Sequence, residues 1–190
     1  MSEGLMTYFP SQRAGGAEKY VGAIAQGYDA KRAQSPKWIA EQRIVEDMLS
    51  SGLPNGAWIL DCPVGTGRLL PFYREHKYQV WALDISEDML RQAHAKNGDD
   101  KRIRYGFGDV RDIPLESKSV DAAVMVRLTR WLSPEDCVKA LRELQRVSRR
   151  KIVFTARVRN HQHARGYDLI AEALNGNFEH GKGWMIARDE

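Results

Sequence analysis

The chain has 190 residues, 43% of them hydrophobic and 28% charged, which is the length of one ordinary domain with enough apolar side chain to bury a core. No apolar run approaches the roughly 18 residues that cross a bilayer, which excludes a helical membrane protein, and the first ten residues lack the pattern of a secretory signal, so a cytoplasmic protein is expected. A net charge of +4 permits an anionic partner without demanding one, and two cysteines, Cys62 and Cys137, are too few for a disulfide framework or a four-cysteine zinc site.

Tyr20, Val21, Ile24 and Tyr28 predict a first helix over about 17–28. Ser35-Pro36 reads as a helix start, and Trp38, Ile39, Val45, Met48 and Leu49 then recur at helical spacing until Ser51-Gly52, predicting a helix over about 36–50. After Asn55-Gly56 the pattern changes to short apolar runs at 57–60, 80–83, 103–105, 120–126 and 152–155. Helical stretches separate them: Leu69-Leu70 can start one, Ser86 caps another over 86–97, and Ser133-Pro134-Glu135-Asp136 opens a third through Cys137, Leu141, Leu144 and Val147. A last helical stretch is expected from Tyr167 to Leu174, and the residues from Asn175 onward can make one strand at most. Near-continuous apolar strands alternating with helices require a parallel sheet covered on both faces. The fold class is therefore α/β, doubly wound and mostly parallel, in a single domain.

In such sheets the ligand crevice lies beyond the carboxyl ends of the strands. After the first strand comes Asp61-Cys62-Pro63-Val64-Gly65-Thr66-Gly67-Arg68. The dinucleotide fingerprint G-x-G-x-x-G fails because position 70 is leucine, and a phosphate-binding P-loop fails because there is no G-K-[ST]. Further acids follow the second and third strands, as Asp84 in Val80-Trp81-Ala82-Leu83-Asp84-Ile85-Ser86 and Asp109 in Gly106-Phe107-Gly108-Asp109-Val110. Asp84 falls 23 residues after Asp61, about one crossover, which places both on one rim of the sheet. A carboxylate suits a diol because its two oxygens accept from two hydroxyls and its charge strengthens both bonds.

These motifs, with the central strand Ser119 to Val126 and the edge Arg127-Leu128-Thr129-Arg130-Trp131-Leu132 after it, resemble the class I S-adenosylmethionine (SAM)-dependent methyltransferase family over about residues 55–156. The resemblance implies SAM as cofactor and no metal. Asp61 and the backbone of Gly65 and Gly67 would face its methionine part, Asp84 its ribose, and Asp109 beside Val110 its adenine; Pro63, Ile85, Met89 and Arg127 complete the implied cofactor-binding set. Pro63 stands where the family usually has a glycine and removes one backbone donor. Residues 1–52 correspond to an N-terminal helical cap and 53–190 to the α/β core, with Tyr20, Tyr28, Asp29 and Arg32 in the cap; Tyr28 would line the pocket and Arg32 meet the cofactor's carboxylate. Family members usually end in an antiparallel hairpin, for which the stretch after Leu174 is too short, which implies either an open sheet edge for a second copy to cover or a shortened form with impaired catalysis.

The implied function is methyl transfer to an unidentified small or anionic acceptor. The alternatives are a non-catalytic protein of the same fold acting through a partner, and a methyltransferase on nucleic acid. Neither the Pro-Pro-aromatic motif of amino-base methylation nor a Pro-Cys nucleophile is present. Arg127 and Arg130, with Arg157 and Arg159 after the fifth strand, are either an anion cluster or solvated surface arginines. Between Arg142 and Arg165 eight basic residues face one acid, and Arg142, Arg146, Arg149 and Arg150 read as a helix and its end. Arg127, His161 and Tyr28 are the catalytic candidates; His161-Gln162-His163 lacks the nearby acids of a metal site.

Overall fold

The computed structural model describes residues 35–158 and 184–188. Helix α1 spans Pro36–Ser50; the proline sits in its first turn, where a missing N–H costs nothing, and the helix buries Trp38, Val45 and Leu49. The sheet strands are β1 (Trp58–Asp61), β2 (Gln79–Asp84), β3 (Ile103–Phe107), β4 (Val120–Met125), β5 (Ser148–Val158) and β6 (Trp184–Arg188). Between them lie α2 (Leu70–Glu75), α3 (Glu87–Asn97) and α4 (Pro134–Val147), with a 3-10 turn at Thr129–Trp131. The Ser86 and Ser133 hydroxyls accept from the Met89 and Asp136 amides, so the capping signatures act as the sequence indicated.

The strand order is β3-β2-β1-β4-β5-β6, and all five pairings are parallel. The chain thus winds one way from β1 through β2 to β3, then the other way from β4 onward, and the switch point lies between β1 and β4. Alternate strand residues serve two cores. Ile59, Val80, Ala82, Ile103, Ala122 and Val124 pack with side chains of α1, α2 and α3 on one face. Leu60, Leu83, Ala123, Met125 and Phe154 pack with Ala140, Leu141, Leu144 and Val147 of α4 on the other. Among the described residues no antiparallel strand joins the sheet, and β6 takes the place beside β5 as a single strand. No described helix is long and apolar enough to cross a membrane.

One sequence expectation is corrected. Arg149 and Arg150 are not a helix end, because α4 stops at Val147 and β5 begins at the next residue. Both arginines lie 3.3 and 3.4 Å from one carboxylate oxygen of Asp121 on β4, while Arg146 bonds Glu143 and the carbonyls of Ile113 and Leu115. Arg146, Arg149 and Arg150 therefore have partners within the fold, although Arg149 and Arg150 remain exposed. The helix expected at 17–28, the stretch 167–174, Tyr20, Tyr28, Asp29, Arg32, Arg159, His161, His163 and the side chain of Arg157 lie outside the described residues.

Candidate functional site

A cavity of about 250 Å3 opens beyond the carboxyl ends of β1, β2, β3 and β4, where the topology places a ligand crevice. It is lined by nine of the ten residues expected to bind cofactor: Asp61, Pro63, Gly65, Asp84, Ile85, Met89, Asp109, Val110 and Arg127. Gly67 does not line it. A Cβ there would lie 2.7 Å from Asn97 Nδ2, 2.8 Å from Leu70 Cδ1 and 3.1 Å from Ala93, so this glycine faces α3 and lets the loop close onto that helix. Gly65, at φ 56°, has nothing within 4 Å of an added Cβ.

The β1 loop is fastened at several points. Val64 N–H donates to the Leu83 carbonyl at 2.8 Å, Cys62 N–H to the Val124 carbonyl at 3.0 Å, and Gly65 N–H to Asp84 Oδ2 at 2.8 Å. The other Asp84 oxygen accepts from Ser86 N–H at 2.9 Å. Pro63 follows Cys62 through a cis peptide bond and lines the cavity. Both cysteines are free and buried, and burial pushes the Cys62 thiol well up, which suits packing and not nucleophilic work.

Three acids give the cavity its character. Asp61, 3% exposed, accepts from the Tyr73 hydroxyl at 3.2 Å; burial pushes its carboxyl up to about 7, against the opposing pull of Tyr73 and Arg68. Burial likewise raises Asp84 to about 6, held back by the amides of Ser86, Gly65 and Ile85. Asp109 is clamped by Arg111, whose Nη2 lies 2.7 Å from Oδ2 and whose Nε lies 3.0 Å from Oδ1; the same guanidinium reaches Asp136 at 2.9 Å. These bonds to Asp109, then Asp136, raise the Arg111 pKa further.

The raised acids set a pH trend. Asp61 and Asp84 hold protons in the folded protein at a pH where the unfolded chain has released them, so their stabilising contribution is present in acid and is lost as pH rises through about 6 and about 7. Thermal unfolding followed from about pH 5 to about pH 8 at constant ionic strength is expected to show a falling Tm, flattened by Asp61→Asn, which keeps an acceptor for Tyr73. A Tm that rises across this range in the parent protein would contradict the assignment.

Arg127 is brought to the cavity as expected, with φ at 63° and its amide bonded to Thr155 Oγ1 at 2.7 Å. Arg130 lies instead against the Trp131 ring, 4.9 Å from its centroid, and is not among the cavity residues. Sequence reasoning missed Trp38, Arg68 and Arg111 as cavity residues. Only Arg111 carried a local signal, a guanidinium two positions after a strand-end acid. Arg68 and Arg127 reach opposite sides of the Glu41 carboxylate, at 2.9 and 3.5 Å, and lie 4.0 and 4.8 Å from the Trp38 ring centroid.

Residues 59–151 match a family model described as a methyltransferase domain. Among curated proteins, malonyl-[acyl-carrier protein] O-methyltransferase of Pectobacterium atrosepticum is 30% identical over 129 residues, covering 67% of this chain and 49% of that protein. The enzyme of the same name from Erwinia pyrifoliae is 33% identical over 129 residues, 67% of this chain and 47% of that protein. The chain thus spans about half the length of these relatives. Among solved structures, a SAM-dependent methyltransferase of Aquifex aeolicus is 25% identical with a TM-score of 0.53, over 67% of this chain and 70% of its own. Magnesium protoporphyrin IX methyltransferase of Synechocystis, determined with bound SAM, is 17% identical with a TM-score of 0.66, over 85% and 83%. The [4+2]-cyclase SpnF reaches the same TM-score at 17% identity, over 92% and 74%. At that identity these last two speak for the fold alone.

Proposed function

We propose that the protein binds SAM and transfers its methyl group to the carboxylate of a small or carrier-borne acid; the match of residues 59–151 to a methyltransferase-domain model and the class I fold of the described residues support this reading. The observation that carries this reading is the set of three acids, Asp61, Asp84 and Asp109, lining one cavity at the ends of three adjacent strands. Their chemistry fits the cofactor: a diol, an amino group and a cationic centre each call for an acceptor or a negative charge. When bound, the cofactor supplies a methyl group activated by positive sulfur.

The residues of this chain position and exclude water. Asp84 would hold the ribose hydroxyls while its bonds to Gly65 and Ser86 keep the loop in register. Asp109, oriented by Arg111, would take the adenine amino group. A carboxylate acceptor is ionised near neutral pH and needs no general base, which matches a cavity whose titratable acids are bound up in the fold. The relatives named malonyl-[acyl-carrier protein] O-methyltransferase support a carboxylate acceptor, since the free carboxylate is the malonyl group's ionised oxygen nucleophile.

Calorimetry with SAM and with S-adenosylhomocysteine tests the cofactor, and one-to-one binding with micromolar affinity is the expected result. Incubation with methyl-labelled SAM and a malonyl thioester tests the acceptor; the product should be an ester that releases labelled methanol in base. Heat without label transfer would retain the cofactor and remove the acceptor. Absence of heat would overturn the reading.

A further inference from the structure

We propose that Arg68 and Arg127, both set against the Trp38 ring, form a carboxylate-binding subsite in the wall of the cavity. The inference rests on the cofactor reading above and adds to it a specific ligand group. Three separate segments converge on the site: Trp38 and Glu41 from α1, Arg68 from the loop after β1, and Arg127 from the turn after β4. The Arg68 guanidinium carbon lies 4.0 Å from the Trp38 ring centroid and that of Arg127 4.8 Å, and both guanidiniums meet the one carboxylate of Glu41, at 2.9 and 3.5 Å. Stacking on an indole fixes a planar guanidinium and leaves its in-plane donors free to point elsewhere.

Those donors are not used up. Arg68 Nη1 and Arg127 Nε are buried and have no hydrogen-bond partner among the described residues, and both side chains line the cavity while Glu41 does not. A buried N–H without an acceptor is costly, and an incoming anion relieves that cost. The charge count narrows the anion. Among the described residues, two guanidiniums against one carboxylate leave one positive charge, in a cavity that also holds Asp61, Asp84 and Asp109. That environment accepts a monoanion and penalises a dianion, which favours a carboxylate over a phosphate monoester. The site lies at the switch point between β1 and β4, so the carboxylate could belong to the amino-acid end of the cofactor or to the acceptor. The chemistry is shared and the experiment separates the sources.

Calorimetry is carried out on the parent protein, Arg68→Gln, Arg127→Gln and Glu41→Gln with three probes. S-adenosylhomocysteine carries the amino-acid carboxylate, methylthioadenosine lacks it, and monomethyl malonate, which like a malonyl thioester has a single free carboxylate, is titrated into protein saturated with S-adenosylhomocysteine. If the cofactor supplies the anion, both arginine variants weaken S-adenosylhomocysteine at least about tenfold and leave methylthioadenosine unchanged, since a charge-assisted bond contributes about that much affinity. If the acceptor supplies it, both nucleoside probes bind as before and monomethyl malonate binding falls at least about tenfold. Glu41→Gln withdraws the competing carboxylate and should tighten whichever probe responds. Unchanged binding of all three probes in both arginine variants overturns the proposal, as does an equal loss for the two nucleosides, which would mean that the arginines only shape the pocket. Failure of the parent protein to bind either nucleoside is a distinct result that overturns the cofactor reading and this subsite with it.

Discussion

Asp84→Ala is expected to bind S-adenosylhomocysteine at least about 100-fold more weakly than the parent protein, because two charge-assisted bonds to a diol, at about 1.5–3 kcal/mol each, are lost together. Asp84 is 5% exposed, stands at the end of β2 and faces the cavity. The substitution also strands the Gly65 and Ser86 amides that the carboxylate receives at 2.8 and 2.9 Å. Each stranded donor costs about 1–3 kcal/mol if it stays dry, so thermal unfolding must be measured beside affinity. Asp84→Asn separates the two effects. It keeps a carbonyl oxygen for one amide and removes the charge, so stability should recover further than affinity does. An alanine variant that is folded and binds like the parent would place the ribose elsewhere.

Gly67→Ala is expected to destabilise the protein by about 2–5 kcal/mol, combining about 1–2 for a side chain in the left-handed region with about 1–3 for overpacking. The glycine adopts φ 76°, and its added methyl would meet Asn97 Nδ2 at 2.7 Å. Asn97 cannot yield easily, since that same amide nitrogen donates to the Ala93 carbonyl at 2.9 Å and the residue is 9% exposed. Gly65→Ala is the control. It also carries a positive φ, but its Cβ meets open space, so its stability loss should stay within the about 1–2 kcal/mol of the backbone alone. Urea unfolding of the two variants measures the difference, and equal losses would remove the packing argument.

The contrast between these two glycines shows what local pattern can and cannot reveal. In the sequence both belong to one loop and invite one role; only the position of α3, packed from residues some thirty positions later, separates a glycine that faces the cavity from one that faces a helix. Helix α1 was legible because a proline start, helical spacing and a Ser-Gly stop all agree over 36–50. The acids Asp61, Asp84 and Asp109 were legible because each ends or follows a strand, and strand ends share a rim in a parallel sheet. Arg149 and Arg150 were misread because charged residues at the start of β5 look locally like a helix end, and their partner Asp121 lies on another strand. The Arg68, Trp38 and Arg127 group was illegible for the same reason at greater range, since Glu41 reaches Arg68 across 27 positions and Arg127 across 86.

Arg127 holds φ at 63°, a backbone state that side chains other than glycine and asparagine seldom adopt, and the Thr155 hydroxyl keeps its amide there. Position 127 is therefore pulled two ways in sequence space. Selection for folding alone would drift toward glycine or asparagine, which adopt that conformation at less expense, whereas selection for ligand capture would hold the guanidinium in place. A library randomised at this codon and sorted separately for expression and for anion binding should diverge, with Thr155 retained in both pools.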